Sequence, residues 1–519
     1  MITSSFAADP TVNDPADRIA TRGDVAVRRG RLALLNGAAG GNGLTPHEAM
    51  VADLLFVRQV LDEHGIEFLL VRGNDQRPVL ALDLSLRPSL EAALATACAN
   101  EPFYARSVDT KKSTVLVADG VLAASAATRI VRLFRPRVEP VGGLFYGSNW
   151  GVQLEFWEFT PAHIRLPVEN SLTRRTMEYR DATRSSIDLY GASWPTIENM
   201  FIDHVFDVRF DIDMVFSWVD GSTAGYQEAR SALEAGAVLG EGDRHEARYR
   251  QIEELKYALR SVHMFAPWVR RIFIATDSPA PAWLAEHPKV TLVRSKDHFA
   301  DPAVLPTHNS MAVESQLHHI EGLSEYFLYS NDDMFFGRPV SPDLFFTAGG
   351  ITRFVLSPTR IGLGESEAAR SGFENSARVN RRLLWERFGA FTTHHLEHNA
   401  APLRRSVLAE LNQEFPAEFA ATAASTFRAA ENISVTNSLY HYYALLTGRA
   451  VAHKDGRGIY VDTAATSGLA DLPRILALRN ADFICLNDGS TGDATAEQRR
   501  EQVTDFLEKY YPFKAPWEK

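Results

Sequence analysis

The chain has 519 residues, of which 45% are hydrophobic and 23% are charged. These values are close to those of globular proteins and disfavour wholesale disorder, collagen and coiled coil. The formal net charge of −11 makes the chain a poor general binder of nucleic acid, because that affinity depends on Lys and Arg contacts to phosphate. At about 150 residues per domain the length predicts about three units, and two larger units fit nearly as well.

The N-terminus carries neither the basic nor the apolar segment of a secretion signal. No apolar run approaches the ~18 residues of a transmembrane span. The two cysteines, Cys98 and Cys485, predict reduced structural thiols, since their spacing suits neither a disulfide framework nor a zinc site. We therefore expect a soluble protein of the cytoplasm, where peripheral association with the inner face of the membrane is compatible with the sequence.

Residues 1–45 are rich in Ala, Gly, Asp and Arg and predict a flexible leader, in which residues 31–35 form a short strand or helix. A helix begins at Thr45, with Pro46 in its first turn, and ends at Gly65. Strands and a further helix follow. These elements predict a small α+β domain over residues 46–205, which binds or orients an acceptor or mediates assembly and contributes no catalytic group.

Four arginines alternate with apolar residues in the β-rich part of this domain. They are Arg129, Arg132, Arg135 and Arg137. A solvent-facing edge strand with charged outer positions is the commoner explanation of such a stripe. A basic groove for a phosphate-rich ligand is the alternative.

From residue 206 onwards, short apolar strands alternate with helices. This pattern predicts an α/β catalytic core over residues 206–350, built on a mostly parallel sheet covered on both faces. Residues 351–519 are predicted to be mostly helical and to complete the catalytic site. Ligands of such sheets bind beyond the carboxyl ends of the strands, so we expect the functional residues directly after the strands.

Acidic residues follow three of the predicted strands: Asp220, Asp277 and the pair Asp332-Asp333, which comes directly after Asn331. A single Asp at a strand end is usually a turn residue that caps the next helix. Two adjacent carboxylates repel each other unless a cation or hydrogen bonds compensate them. Hard oxygen ligands at this position suit Mg²⁺ or Mn²⁺ carrying a diphosphate, so the pair predicts a metal site.

Three histidines, His394, His395 and His398, cluster further along the chain. Their spacing could suggest zinc, but the segment has no HExxH motif and no partner cysteine. A general base is the better functional interpretation, because imidazole titrates near neutral pH. Arg405 and Arg428 follow, and guanidinium groups suit bidentate contacts to phosphate, although surface solvation explains any single arginine equally well.

At these residues the chain resembles the Stealth family, the hexose-1-phosphate transferases of bacterial capsule and exopolysaccharide synthesis. The catalytic subunit of the lysosomal-enzyme N-acetylglucosamine-phosphotransferase is a relative of that family. The resemblance covers four blocks, residues 211–221, 254–337, 398–431 and 485–488. It departs from the family at His308, where Phe is frequent, and at Asn432, where an acidic residue is common.

The resemblance implies a Rossmann-like or GT-A-like catalytic sheet and a nucleotide-sugar donor such as a UDP-hexose. A saccharide hydroxyl would attack the sugar-bearing phosphorus, so that UMP leaves and a phosphodiester forms. The implied ligands of Mg²⁺ or Mn²⁺ are Asp332, Asp333 and Asp488. The implied catalytic residues are His398, Arg405, Arg428 and Asp220, and the implied substrate-binding residues are Trp218, Arg260, Asn309, Asn331 and Glu431.

His398 would either take the proton of the acceptor hydroxyl or form a transient phospho-histidine. Two other functions stay open from the residues alone. One is a glycosyltransferase that releases UDP, and the other is an inactive saccharide-binding protein. Homo-oligomerisation also stays open, and neither nucleic acid nor a membrane span is expected.

Overall fold

A computed structural model of the chain describes residues 25–29, 32–36, 43–234, 251–489 and 492–519. The chain divides into two compact units, Met1–Ile202 and Asp203–Lys519. The expected leader lies mostly outside the described residues. Within it, the segment predicted as a strand or a helix is a strand, Leu32–Asn36, which pairs with Val25–Arg29.

The described part of the first unit contains a mixed main sheet, two smaller sheets and two helices. Its strands β1 to β14 are Val25–Arg29, Leu32–Asn36, Leu69–Arg72, Pro78–Asp83, Tyr104–Ser107, Thr114–Leu116, Ile130–Phe134, Arg137–Val138, Phe145–Tyr146, Val152–Phe159, His163–Arg165, Thr176–Glu178, Arg184–Leu189 and Ala192–Ile197. Its helices α1 and α2 are Pro46–Glu63 and Arg87–Ala97. Helix α1 begins where it was predicted to begin, because Thr45 and Glu48 form a reciprocal capping box.

Of the four arginines of the stripe, Arg132 lies on β7 and Arg137 on β8, while Arg129 and Arg135 flank β7. The sequence analysis favoured an edge strand for this stripe. This prediction was wrong, because β7 pairs with both β5 and β10 in the middle of the main sheet. Arg135 and Arg137 instead reach the buried carboxylate of Asp53, at 2.8 and 2.7 Å. Arg129 pairs with Glu158 at 2.8 Å. These three arginines therefore stabilise the fold from within, since a buried carboxylate needs paired charge.

The second unit alternates strands and helices, as predicted. Its strands β15 to β25 are Ile212–Ser217, Ile272–Ala275, Val290–Val293, Tyr326–Asn331, Met334–Phe336, Thr352–Arg360, His394–Leu396, Ala401–Arg404, Ala450–His453, Gly458–Asp462 and Phe483–Asn487. Its helices α3 to α12 are Ala224–Glu234, Glu254–Phe265, Ser295–His298, Ser310–Ser315, Gly372–Phe388, Arg405–Glu414, Pro416–Ala423, Tyr440–Leu446, Thr466–Leu478 and Ala496–Tyr510.

The central sheet of the second unit has the strand order β17-β16-β15-β18-β22. The first four strands are parallel and β22 is antiparallel, which confirms the predicted α/β fold with a mostly parallel sheet. Helices α8 to α10 and strand β18 contribute to one buried cluster. It includes Phe327 and Tyr329 of β18 and Leu408 of α8. Each such side chain contributes roughly 1.5–3 kcal/mol when it is fully buried.

The second unit is not divided at residue 350, where the sequence analysis placed a boundary. Strand β22 forms the edge of the central sheet, and β25 pairs with β19. Residues 351–519 therefore contain both helices and strands and belong to the same compact unit as the parallel core. Among the described residues, no helix is both long enough and apolar enough to cross a membrane.

Candidate active site

Strands β15 and β18 bring polar side chains to one edge of the central sheet. Their register pairs Ser217 with Asn331, so both strands end at the same level. Ser217 Oγ lies 2.7 Å from Tyr329 Oη, and the Tyr329 hydroxyl donates to Asn331 Oδ1 at 2.9 Å. Asn331 is thus held in a fixed orientation at the carboxyl edge, where a ligand of a parallel sheet is expected.

Gln251 connects the two strand ends and was missed by the sequence analysis. Its amide nitrogen donates to Val219 O at 2.8 Å and to Asp332 Oδ2 at 3.4 Å, and its amide oxygen accepts from Trp218 Nε1 at 3.1 Å. Gln251 follows no predicted strand, so no local pattern singled it out. It orients Trp218 and Asp332 together, and both of these are predicted site residues.

Asp332 and Asp333 lie directly after β18 in crowded surroundings. Burial, together with the negative charge of Glu254, raises the pKa of Asp333 to about 7. Burial and the carboxylates of Glu254 and Asp333 raise the pKa of Asp332 well above its usual range. Asp333 Oδ1 is buried and has no hydrogen-bond partner in the described part of the chain. The two carboxylates thus have less positive charge around them than their ionised forms require.

Glu254 and Asp488 share one arginine, Arg499, which is only 6% exposed. Arg499 Nη2 lies 3.4 Å from Glu254 Oε1, and Nη1 lies 3.3 Å from Asp488 Oδ2. Its Nε donates to Thr463 Oγ1 at 2.9 Å. Asp488 therefore pairs with Arg499, and its place in the predicted metal triad stays a prediction. Among the described residues, no three His, Cys, Asp or Glu side chains are arranged to hold a metal ion.

Two of the three predicted ligands, Asp332 and Asp333, nevertheless fit a divalent cation. Mg²⁺ is usually held by one or two carboxylates together with substrate phosphates and water. The unpartnered buried oxygen of Asp333 is an atom that such a cation would satisfy. Cys485 Sγ, 3.9 Å from Asp333 Oδ2, lies on the other side of this carboxylate, and both cysteines are free and buried as expected.

Replacing Arg499 with Met is expected to lower the free energy of unfolding by about 3–5 kcal/mol, because it leaves Glu254 and Asp488 buried without their cation. Urea unfolding at pH 8 measures this loss. The exposed neighbour Arg500 provides the control, and its replacement with Met should change stability by less than about 0.5 kcal/mol. Equal effects of the two substitutions would contradict a role of Arg499 as the shared counter-charge.

His398 comes to the carboxyl edge through the register of β22. Tyr329 pairs with Ala401, and β22 is antiparallel to β18, so the residues before Ala401 continue towards the end of β18, where Asp332 lies. The His398 ring centroid is 5.2 Å from that of Tyr460, which pairs with Cys485. The ring retains contact with solvent, yet surrounding protein atoms lower its pKa. The surroundings of His398 therefore favour the neutral form of the imidazole.

Arg405 lies near the amino end of β18, whereas Asp332 follows the carboxyl end of that strand. Its neighbour Arg404 pairs with Tyr326, the first residue of β18, and a strand of this length spans about 20 Å. The chain between His398 and Arg405 is strand β22, not the helix that would place them two turns apart. Arg405 is exposed at the start of α8, so the structure does not bring it beside Asp332, and its catalytic role stays a prediction.

Arg260 also has a different role from the predicted one. Its Nε and Nη2 donate to the two carboxylate oxygens of Glu518, both at 2.7 Å, and its Nη1 donates to Tyr511 O at 2.9 Å. Its side chain is 9% exposed. A guanidinium committed in this way connects α4 to the C-terminal segment and is not presented to a phosphate.

The predicted Asn309 and the departure at Asn432 bind each other. Asn309 Nδ2 donates to Asn432 Oδ1 at 2.9 Å, and the same oxygen accepts from the backbone of Ala429. Asn309 Oδ1 caps α6 by accepting from Met311 N. Both asparagines are buried, and their contact positions the loop that carries Arg428.

The remaining predicted residues have distinct surroundings. Arg428 Nη2 donates to Ser310 Oγ at 3.1 Å, and the Arg428 charge acts on the fully buried Glu314. Glu431 is exposed. Asp220 accepts from the backbone N and the hydroxyl of Ser222, at 3.0 and 2.5 Å. Asp220 therefore forms a turn before α3, which is the commoner role of an isolated strand-end Asp.

Three segments of the chain match conserved regions of the Stealth proteins. Residues 248–354 match conserved region 2, residues 397–445 match region 3 and residues 473–519 match region 4. The predicted second, third and fourth blocks fall within these segments. The predicted first block, residues 211–221, lies outside them.

Similar proteins cover nearly the whole chain. The exopolysaccharide phosphotransferase CpsY of Mycobacterium tuberculosis is 57% identical over 496 residues, which are 95% of this chain and 92% of that protein. The exopolysaccharide phosphotransferase of Nocardia farcinica is 51% identical over 490 residues, 94% of this chain and 91% of that protein.

Among solved structures, the galactosyltransferase LgtC in complex with donor and acceptor sugar analogues aligns at 11% identity with a TM-score of 0.30, covering 59% of this chain and 97% of LgtC. A similarity this low says nothing about the reaction. The match to three conserved regions and the identity to full-length relatives place the chain unambiguously. It belongs to the Stealth family of phosphotransferases.

Proposed function

We propose that this protein transfers a hexose-1-phosphate from a nucleotide sugar, a UDP-hexose, to a hydroxyl group of a saccharide in exopolysaccharide synthesis. The names of the similar phosphotransferases support the class of product. The observation that carries the proposal is the carboxylate pair Asp332 and Asp333 at the carboxyl edge of the parallel sheet. Their raised pKa values indicate a site that lacks positive charge, and a cation accompanying a diphosphate supplies it.

Phosphoryl transfer depends on positioning and on charge neutralisation more than on covalent chemistry. Mg²⁺ or Mn²⁺, when held by Asp332 and Asp333, neutralises the charge of the donor phosphates. Asn331 and Trp218, fixed by Tyr329 and Gln251, form the wall against which the donor binds. These residues hold the sugar-bearing phosphorus in line with the attacking hydroxyl.

The neutral imidazole of His398 takes the proton of the acceptor hydroxyl. The acceptor oxygen then forms a bond to the sugar-bearing phosphorus, the bond from this phosphorus to the bridging oxygen breaks, and UMP leaves. In the alternative route, His398 first attacks the sugar-bearing phosphorus and UMP leaves. The acceptor hydroxyl then attacks the resulting phospho-histidine. Both routes require the unprotonated ring, which the lowered pKa of His398 favours.

The test is to incubate the full chain with UDP- and GDP-hexoses, Mg²⁺ and a neutral oligosaccharide acceptor, and to identify the released nucleotide by chromatography. We expect UMP in equal amount to a new phosphodiester detected by ³¹P NMR. Release of UDP would show glycosyl transfer and contradict the proposal. Binding of a donor without any released nucleotide, in the presence of acceptor, would indicate a saccharide-binding protein.

A further inference from the structure

Three arginines lie together on one face of the main sheet in the first unit. Arg106 on β5 pairs directly with Arg132 on β7. Gln153 on β10 pairs with both Arg132 and Val79, and Arg77 lies two residues before Val79, on the same face. The alternate positions of these strands contribute to the apolar cluster on the other face of the sheet, so the three guanidinium groups share the face opposite that cluster.

The counter-charge that acts on Arg77 and Arg132 is the exposed carboxylate of Asp75, whereas the carboxylate that Arg135 and Arg137 reach is buried. Arg132 Nε is buried without a hydrogen-bond partner, and Arg132 has no ion pair among the described residues. Arg77 Nε and Nη1 are likewise buried without a hydrogen bond. The nearest carboxylate to Arg77, that of Asp75, lies 3.7 Å from Nη1 and is 60% exposed.

A short turn supports two of the three side chains. Arg77 Nη2 donates to Asn149 O at 3.0 Å, and Arg106 Nη1 lies 3.4 Å from Ser148 Oγ. Asn149 and Ser148 belong to the turn Ser148–Trp150. The turn therefore fixes Arg77 and Arg106, while Nε and Nη1 of Arg77 make no hydrogen bond.

The arrangement is unfavourable for the protein alone. Like charges directly opposite each other in a sheet are destabilising, and a partly buried cation without a partner costs free energy. Burial lowers the pKa of Arg132, the charges of Arg77 and Arg106 lower it further, and the charge of Asp75 opposes them in part. Burial lowers the pKa of Arg77 in the same way. An oxyanion between the three side chains would remove these costs.

We propose that Arg77, Arg106 and Arg132 form a binding site for a phosphate ester in the first unit. Planar guanidinium groups make paired hydrogen bonds to phosphate oxygens, and three of them match a group with several charged oxygens. The ligand is the phosphate ester of a saccharide. This last step rests on the proposed function, whose product carries such a group, whereas the anion site itself rests on the arginines alone.

The test measures ligand binding by titration calorimetry with the full chain at constant ionic strength and in EDTA, so that no cation-dependent donor binding contributes. The probes are glucose-1-phosphate, a methyl phosphodiester of glucose, inorganic phosphate and glucuronate. R132Q and R106Q are compared with R180Q, a variant of an arginine in the same unit whose side chain is 79% exposed. We expect R132Q and R106Q to weaken binding of both esters at least about tenfold, as the loss of one paired contact implies, and R180Q to weaken it less than twofold.

A second measurement separates a binding role from a structural one. Without ligand, R132Q should unfold at a temperature equal to or above that of the wild type, because it removes a repulsion. A lower temperature would show that Arg132 supports the fold and would overturn the proposal. Equal ester affinity in R132Q and wild type, or equal weakening by R180Q, would also overturn it.

The probes separate the possible anions. Binding of inorganic phosphate alone, or of glucuronate as tightly as the esters, would contradict a site for a phosphate ester. Failure of the enzyme to release UMP leaves these binding results unaffected, so the anion site and the proposed function are tested independently.

Discussion

Replacing Asp332 with Asn is expected to reduce transfer by at least about 10²-fold, the size of effect that follows the loss of one preorganised electrostatic contact in a transition state. The substitution keeps the shape of the side chain and its contact with Gln251, but it removes half of the negative charge that the carboxylate pair offers to a cation. The same result is expected for Asp333. Rates of UMP release at saturating donor and Mg²⁺ measure the effect.

The stability of these variants should move in the opposite direction to their activity. A carboxyl group whose pKa is raised by folding binds its proton more tightly in the folded state, so stability is lost as the pH rises from about 4 towards the folded pKa, about 7 for Asp333. Without divalent cations the wild type should therefore be less stable at pH 8 than at pH 5.5 through this group. Asp333→Asn should show a smaller decline, measured by urea unfolding at both pH values.

Addition of Mg²⁺ provides the matched comparison. A cation that binds only the folded state raises stability as its concentration exceeds its dissociation constant, and we expect this gain in the wild type and not in Asp332→Asn. Asp471→Asn changes a surface carboxylate that is 55% exposed and paired with Arg474. This variant should behave as the wild type in its rate of UMP release, in the pH dependence of its stability and in its gain of stability from Mg²⁺. Full activity of Asp332→Asn, or of the wild type in excess EDTA, would contradict the metal site.

Replacing His398 with Gln is expected to lower transfer by about 10²–10⁴-fold, the usual contribution of general acid–base catalysis, while donor binding is retained. Because burial lowers the pKa of His398, wild-type activity should fall only on the acid side of the ordinary pKa of an imidazole. A steady-state pH profile between pH 5 and 8 measures both. The profile of the residual activity in the variant should lack this acid limb.

His394→Gln is the control for His398. His394 belongs to the same cluster, but its Nδ1 contacts Thr393 and Arg360. This variant should retain activity within about threefold. The two roles of His398 are separated by quenching the reaction without acceptor, since a phospho-histidine would appear as a mass increase in the wild type. A His398→Gln variant that turns over at near the wild-type rate would exclude both roles.

The parallel core was predictable from the sequence because its signal is local. Four short apolar strands, of which β15, β16 and β18 are mostly buried, alternate with helices that cover them, and the carboxyl ends of parallel strands necessarily lie at one edge. The position of Asp332 and Asp333 at that edge follows from the same reasoning. So does the turn formed by Asp220, which the sequence analysis named as the usual role of such a residue.

Only the tertiary structure decided which arginines are available to a ligand. Arg405 seemed close to His398 by residue number, but the antiparallel pairing of β22 with β18 carries it to the far edge of the sheet. Arg260 is satisfied by Glu518, which is far from it in sequence. Whether a guanidinium is available to a ligand depends on which carboxylate reaches it, and that contact is made between distant segments.

The sequence thus predicted the residue types of the candidate site, but it did not predict which residues they contact. Composition, spacing and strand patterns determined the fold class, the carboxyl edge of the sheet and the acidic pair that lies there. Long-range pairing alone brought Gln251 to Trp218 and Asp332, and placed Arg499 between Glu254 and Asp488. It also placed Arg132 beside Arg77 and Arg106, with a buried Nε that has no hydrogen-bond partner in the described part of the chain. The physical reason is that hydrogen bonds and ion pairs between distant segments depend on register and burial, and neither is encoded in a short stretch of residues.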